Sequence, residues 1–268
     1  RPRTVVLTVA ATVSEMMGLN AYMERSALNR LLGEGDVASG FNVSLDPGRE
    51  VDFLRATRGL PRLAGHRAGV ENLRGVITAG IKFGIKYLSF YAFSTENWNR
   101  PKDEVFGIMD LLSEFIDRET VPLHEEGVRI LHIGHLDRLR PSLVDKIEYA
   151  VNLTKNNRKI TVQLAFNYGG RDEIVSAVRK IISSGARPDE VTEALIGRNL
   201  FTAGIPDPDL IIRTSGEMRT SNFLMWQSAY SEWVFPTTYW PDFNEEVFKE
   251  MLREYSRRDR RFGGLSSK

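Results

Sequence analysis

"KYLSFYAFSTENWNRP", residues Lys86–Pro101, is the stretch on which the fold turns. Its first half, up to Phe93, is largely apolar and aromatic, follows a glycine and is too short for a core helix, so it predicts a buried strand. The strand then runs without a turn into Ser94, Thr95, Glu96, Asn97, Trp98, Asn99 and Arg100. A hydroxyl, a carboxylate, an amide, an indole and a guanidinium in such close succession exceed what a plain connection needs. They suit a place where a charged ligand meets an apolar one.

Working outward, Val70, Leu73, Ile77 and Ile81 recur at helical spacing, and Gly84 stands where a C-terminal cap belongs. Downstream, Pro101 opens a helix with Asp103 and Glu104 in its first turn and Val105, Ile108, Met109, Leu112 and Phe115 on its apolar face. "VRILHIG" (residues 128–134) reads as the next strand, and Pro141 starts another helix. "KITVQLAFNYGG" (159–170) is a strand ending in a turn, followed by a helix from Arg171 to about Ser183, with a further helix near Pro188. "PDLIIRTSG" (208–216) and the short "EWVF" (232–235) complete the strands, and Asp242 and Glu245 have capping-box spacing at the head of the last helix. Strands separated by crossover helices define an α/β fold, a central, mainly parallel sheet flanked by helices on both faces. Ligands of such sheets sit beyond the carboxyl ends of the strands. Three polar clusters occupy those ends: "STENWNR", "NYGGR" and "RTSGEMRTSN".

Composition bounds the function. The chain has 268 residues, 42% hydrophobic and 26% charged, which suits one domain without disulfide staples; there are no cysteines, which fits a reducing compartment. A net charge of +1 argues against a nucleic-acid binder. No apolar run reaches the roughly 18–20 residues of a membrane span. The opening "RPRTVVLTVAATVSEMMGL" has a basic lead and an apolar stretch, but Thr, Ser and Glu interrupt it, so ordinary chain rather than a signal peptide is expected. No internal repeat or linker divides the chain.

The clusters suggest anion chemistry. Arg213 and Arg219, with Ser215 and Ser221 beside them, supply guanidinium forks and hydroxyls suited to phosphate oxygens; a solvated loop with surface arginines is the alternative. Arg260 and Arg261 in "RRFGG" read as an exposed basic tail, and His66 as a surface or capping histidine. There is no GxxxxGK[ST] loop, no GxGxxG after a strand, no DDxxD-like acid pair, and no histidine spacing for zinc.

"YAFSTENWNRP" and "RTSGEMRTSNFLMWQSAYSEWVFPTTYWPDF", with "RGLPRLAGHRAGVENLR", "NYGGRDEIV" and "RRFGG", give the chain a resemblance to the cis-prenyltransferase family, of the undecaprenyl (di-trans,poly-cis) diphosphate synthase type. The resemblance runs from about Arg58 to Gly264. It implies that Arg62 and His66 face an allylic diphosphate. Ser94, Thr95, Glu96, Asn97, Trp98 and Arg100 match the loop over the reacting centre, with a proton-handling role for Asn97. Arg213, Arg219, Thr220 and Ser221 match the grip on isopentenyl diphosphate, and Glu232 helps to place Mg²⁺. It further implies an apolar tunnel for the growing chain, a homodimer in which a segment near "RRFGG" completes the neighbouring site, and a cytoplasmic enzyme at the membrane surface making a lipid carrier for cell-wall synthesis.

The departure lies upstream. Where the family has a stretch of the form HVAxIMDGNGRWA, this chain has "GFNVSLDPGREVDFLRATRGLPR". Counting back without a gap puts Arg49 at the position of the metal-binding aspartate. Allowing about three inserted residues makes "FNVSL" the strand and Asp46, Gly48 and Arg49 the metal- and phosphate-binding loop, with Asp46 both a catalytic residue and the metal ligand. The alternative is an ordinary Asp-Pro-Gly turn. Residues 1–45 form an unassigned segment and 46–268 the cis-prenyltransferase domain. Two functional readings follow. One is an active, Mg²⁺-dependent enzyme condensing isopentenyl diphosphate with an allylic diphosphate, farnesyl diphosphate by expectation. The other is a silent subunit that binds polyprenyl or diphosphate ligands and acts through a partner. An unrelated phosphate-ester enzyme on a similar sheet has no motif to support it.

Overall fold

The structure, a computed structural model, describes residues 62–258. Asp46, Gly48, Arg49, the "FNVSL" stretch and the arginines of "RRFGG" lie outside the described residues. The first helix, α1 (Arg62–Lys82), ends before Gly84, whose φ of 73° lets the chain turn back into the sheet. The opening stretch is strand β1 (Tyr87–Ser94), buried through most of its length as its apolar run requires. Helix α2 (Lys102–Glu125) follows, and Pro101 stands just outside it as the cap rather than in its first turn. The predicted apolar positions Val105, Ile108, Met109, Leu112 and Phe115 are all buried.

Strand β2 (Val128–Ile133), helix α3 (Pro141–Thr154), strand β3 (Ile160–Tyr168) and helix α4 (Gly170–Ser183) continue the alternation. β3 lies between β1 and β2, parallel to both, with Tyr87 opposite Thr161 and Val128 opposite Ile160. The β1–β3 register slips near Phe93, where the strand passes into the polar cluster. Successive strand residues point to opposite faces. Leu164 and Phe166 therefore face the large core under α1, α2 and α3, whereas Ala165 faces a smaller cluster with Tyr91, Ile133, Tyr168, Phe223 and Leu224.

The C-terminal third departs more from expectation. Pro188 starts only a short 3₁₀ turn, and helix α5 begins at Glu193 (Glu193–Asn199), capped by the Thr192 hydroxyl. Strand β4 shrinks to Leu210–Ile212, because Ser215 and Gly216 take φ of 65° and 68° and cannot continue a ladder. It pairs in parallel with β5 (Glu232–Val234). The last helix, α6 (Glu245–Ser256), is capped by Asn244, whose Oδ1 accepts from Glu246 and Val247 N–H. Asp242 lies in the preceding 3₁₀ turn, so the predicted capping box is not formed. Within that turn, Trp240 donates its indole N–H to Gly69 O, and Asn72 donates to Trp240 O and Phe243 O, which fastens α1 to the C-terminal region.

Candidate active site

The polar cluster after β1 folds into a 3₁₀ helix, Thr95–Asn99. Asn97 Oδ1 accepts the backbone N–H of Ser94 at 2.9 Å, which fixes the amide and turns its N–H₂ donors away from that bond. Trp98 is held on three sides. Its indole N–H donates to Asn167 Oδ1 at 2.7 Å, its ring meets Phe93 edge-on at 5.3 Å, and the Arg138 guanidinium lies 4.3 Å from the ring centre. Arg100 donates to Glu104 Oε1 at 2.8 Å, and His66 Nε2 stands 3.4 Å from the same oxygen. Burial works against the Glu104 carboxylate, but the hydrogen bond and charge of Arg100, and then His66, prevail and hold its carboxyl below the ordinary value. His66 is thus a buried partner of a carboxylate rather than a surface histidine. Arg62 opens α1; the role read for its side chain lies outside what the structure describes.

The cluster after β3 turns on Asn167, which takes φ 53° and donates from Nδ2 to His135 O and Asp137 O. The cluster after β4 turns on Arg213, whose side chain is almost wholly buried. Its Nη1 donates to Arg219 O at 2.7 Å and Ser221 Oγ at 2.8 Å, and its Nη2 to Glu217 Oε2 at 2.5 Å. Arg219 donates to the same Glu217 oxygen while over half of its own side chain stays in solvent. Thr220 is exposed. Ser221, Asn222 and Leu224 take φ of 45°, 65° and 45°, a run of left-handed backbone that costs energy in residues with a Cβ and that surrounding bonds must hold.

The three clusters meet at Asn222. Its Nδ2 donates to Glu96 Oε1 at 2.8 Å, its Oδ1 accepts the Arg171 N–H at 2.8 Å, and its carbonyl accepts the Gly170 N–H at 2.7 Å. Thr95 donates to the second oxygen of Glu96. The junction is tight: a Cβ on Gly169 would lie 2.6 Å from Thr95 Oγ1 and 2.9 Å from Asn222 Nδ2, so those side chains would have to shift to admit it. Glu96 therefore ties one loop to another. The expected convergence of strand-end loops is present, but across two sheets rather than one: β1 and β3 belong to a three-stranded sheet, and β4 pairs with β5 in a separate two-stranded one. Asn222, which sequence reasoning passed over, joins the loops, while Glu217 and Glu104, passed over likewise, hold the arginines within them.

Glu232 is placed differently. It opens β5, opposite Leu210, whereas Arg213 follows the far end of β4 beside Val234. Its Oε2 accepts from Arg258 at 2.6 Å. The described residues bring Arg213, Arg219 and Ser221 together, while the Glu232 carboxylate is engaged by Arg258. Among the described residues no three His, Cys, Asp or Glu side chains gather in a way that could hold a metal.

Below the polar rim lies an apolar hollow between α2, α3 and the sheet. Leu112, Phe115, Ile116, Ile147, Ala150 and Phe166 are among its walls, and it is partly open to solvent. His132 also reaches it; burial pushes its imidazole below the ordinary value, which keeps that ring uncharged at neutral pH. Phe166 stacks on Phe93 at 5.1 Å and Phe93 meets Trp98, so one line of aromatic rings joins the hollow to the charged loops.

Fold and site together define an α/β protein with an arginine-bearing loop at a strand end and an apolar hollow between α2, α3 and the sheet. The family model of undecaprenyl diphosphate synthases matches residues 54–263. An isoprenyl transferase of Rhizobium meliloti strain 1021 is 50% identical over 213 residues, covering 78% of this chain and 86% of that protein. Its counterpart in Heliobacterium mobile is 51% identical over 213 residues, 78% of this chain and 82% of that protein. Among solved structures, lavandulyl diphosphate synthase from Lavandula x intermedia, in complex with dimethylallyl diphosphate, superposes with a TM-score of 0.79 at 34% identity, covering 84% of this chain and 98% of that one. A probable undecaprenyl diphosphate synthase from Campylobacter jejuni has a TM-score of 0.69 at 32% identity, with the same coverage. The chain is a prenyltransferase, and it belongs to the undecaprenyl diphosphate synthase family.

Proposed function

We propose that this prenyltransferase condenses isopentenyl diphosphate with an allylic diphosphate, farnesyl diphosphate as primer, and lengthens a cis-polyprenyl chain in the hollow between α2 and α3. The observation that carries the reading is the aromatic line Trp98–Phe93–Phe166, which runs from the charged loops to the apolar walls. An allylic leaving group develops negative charge that guanidiniums can neutralise, and the new bond needs the two substrates held side by side. Arg219, with the Ser221 hydroxyl near it, supplies donors for the isopentenyl diphosphate. Arg100 and His66, sharing Glu104, stand on the allylic side. Asn97, with its oxygen engaged by Ser94, offers N–H donors to that diphosphate, and Thr95 and Trp98 shape the loop over it.

Mg²⁺ belongs to this proposal through the family resemblance. It would neutralise diphosphate charge, with Asp46 as its protein ligand and Glu232 as a second carboxylate. A homodimer working at the membrane surface belongs to it in the same way; no described helix is long and apolar enough to cross a membrane. The altered loop Asp46-Pro47-Gly48-Arg49 favours a second reading, a catalytically silent subunit that binds diphosphate ligands and acts through a partner. Incorporation of radiolabelled isopentenyl diphosphate into butanol-extractable product, with farnesyl diphosphate as primer, separates the two. Mg²⁺-dependent extension that is lost with EDTA is the expected result. No extension with any primer or divalent cation would leave the silent subunit.

A further inference from the structure

We infer that Glu217 is a positioning residue of the isopentenyl diphosphate site, holding the Arg219 guanidinium in place from within the loop; this rests on the reading of that loop given above. A single carboxylate oxygen, Glu217 Oε2, accepts from both Arg213 and Arg219. Arg213 has both Nη atoms bonded to its own loop, so it acts as the post around which residues 213–222 are wound. Arg219 is the member of the pair whose side chain reaches solvent, 55% exposed against 3% for Arg213.

A long exposed arginine would ordinarily sample many rotamers, and binding would have to order it. Here the bond to Glu217 orders it in advance. Burial opposes ionisation of Glu217, but the hydrogen bonds and charges of the two arginines outweigh it and keep its carboxyl below the ordinary value. The carboxylate therefore persists at neutral pH and leaves the three side chains with one net positive charge. The loop is also anchored independently of Glu217, by Ser215 N–H to Thr238 O at 2.9 Å and Gly216 N–H to Pro236 O at 2.8 Å. Its strained turns therefore have other supports when the carboxylate is altered.

The test is Glu217→Gln, which keeps shape and one acceptor oxygen but removes the charge. Steady-state kinetics should show KM for isopentenyl diphosphate raised by about tenfold or more, the loss expected of one charge-assisted hydrogen bond. KM for the allylic diphosphate and kcat should move by less than about threefold, since only one substrate's binding is affected. An unchanged or lowered KM for isopentenyl diphosphate would overturn the inference, the lowered value showing a carboxylate that competes with the ligand. An equal rise for both substrates with a lower melting temperature would reduce Glu217 to a structural support. Calorimetric titration of wild type and variant with inorganic diphosphate gives a second readout that needs no turnover, and weaker binding by the variant is expected there too. If the wild type incorporates no isopentenyl diphosphate, the functional reading fails while this titration still judges Glu217. Should Glu217→Gln not fold, Glu217→Asp, which withdraws the charge by one methylene, enters the same measurements.

Discussion

Glu104 shows what the residue scale adds. In the sequence it is a first-turn acid on α2, placed where acids suit a helix N-terminus. In the fold it accepts from Arg100 four residues back and approaches His66 from another helix, with less than a tenth of its side chain exposed. A carboxylate in that position holds a guanidinium and an imidazole at defined places before any ligand arrives. Glu104→Gln should therefore lower kcat/KM for the allylic diphosphate by about tenfold, the loss of one hydrogen bond to a charged group, and leave KM for isopentenyl diphosphate within about twofold. Kinetics with each substrate varied in turn check this, and an equal effect on both would refute it. His66 and Arg100 were legible as site candidates because their motifs are contiguous. Their shared partner was not, because helix-start acids are common and nothing local marks one as a hub.

At the scale of elements, loops meet through backbone that has no room for side chains. Gly169→Ala places a methyl group against Thr95 Oγ1 and Asn222 Nδ2, between two of the three strand ends. It should cut turnover at least about tenfold while far-UV circular dichroism stays that of the wild type, because a misplacement of about 1 Å in a site is felt far more in rate than in fold. The apolar hollow gives a second prediction. Ala150 is buried on α3 beside Ile147 and faces the void, so Ala150→Leu adds three carbon atoms of bulk where a growing chain would lie. The longest product, read by reversed-phase chromatography after dephosphorylation, should shorten by one or more five-carbon units. An unchanged product distribution would show that the chain grows elsewhere. Helix α2 was predictable because its apolar residues recur at 3.6-residue spacing; the hollow was not, since it lies between α2, α3 and the sheet and belongs to none of them.

At the scale of the whole molecule, the titrating groups set how stability depends on pH. Glu96, Glu104 and Glu217 all have carboxyls below their ordinary value of 4.5: in each burial opposes ionisation, and hydrogen bonds or arginine charge overcome it. A depressed carboxyl contributes stability that is complete above 4.5 and is lost as pH falls through its lower folded value. His132 acts earlier. Burial lowers it from 6.5, so the unfolded chain takes up a proton first and stability declines as pH drops below 6.5. The melting temperature should be flat near pH 7 to 8, fall gently towards pH 5.5 and fall steeply below 4.5. Differential scanning calorimetry across that range checks the two steps, and His132→Asn should remove the first alone. A melting temperature that rises on acidification from pH 7 to 5.5 would contradict the assignment.

The alternation of strand and helix, the parallel sheet and the loops at its carboxyl edge were written in local pattern: runs of β-branched and aromatic residues, helical spacing, and prolines and glycines at the boundaries. Those signals need only neighbours in the chain, as do the contiguous motifs of a prenyltransferase. Which atoms meet was decided by tertiary structure alone. Asn222 bonds Glu96 from 126 positions away, and His66 reaches Glu104 across 38. The same holds for Glu232, a site candidate by motif whose carboxylate the fold pairs with Arg258, 26 positions on. Hydrogen bonds and ion pairs act over a few ångströms, and only the packed chain determines which distant residues come that close.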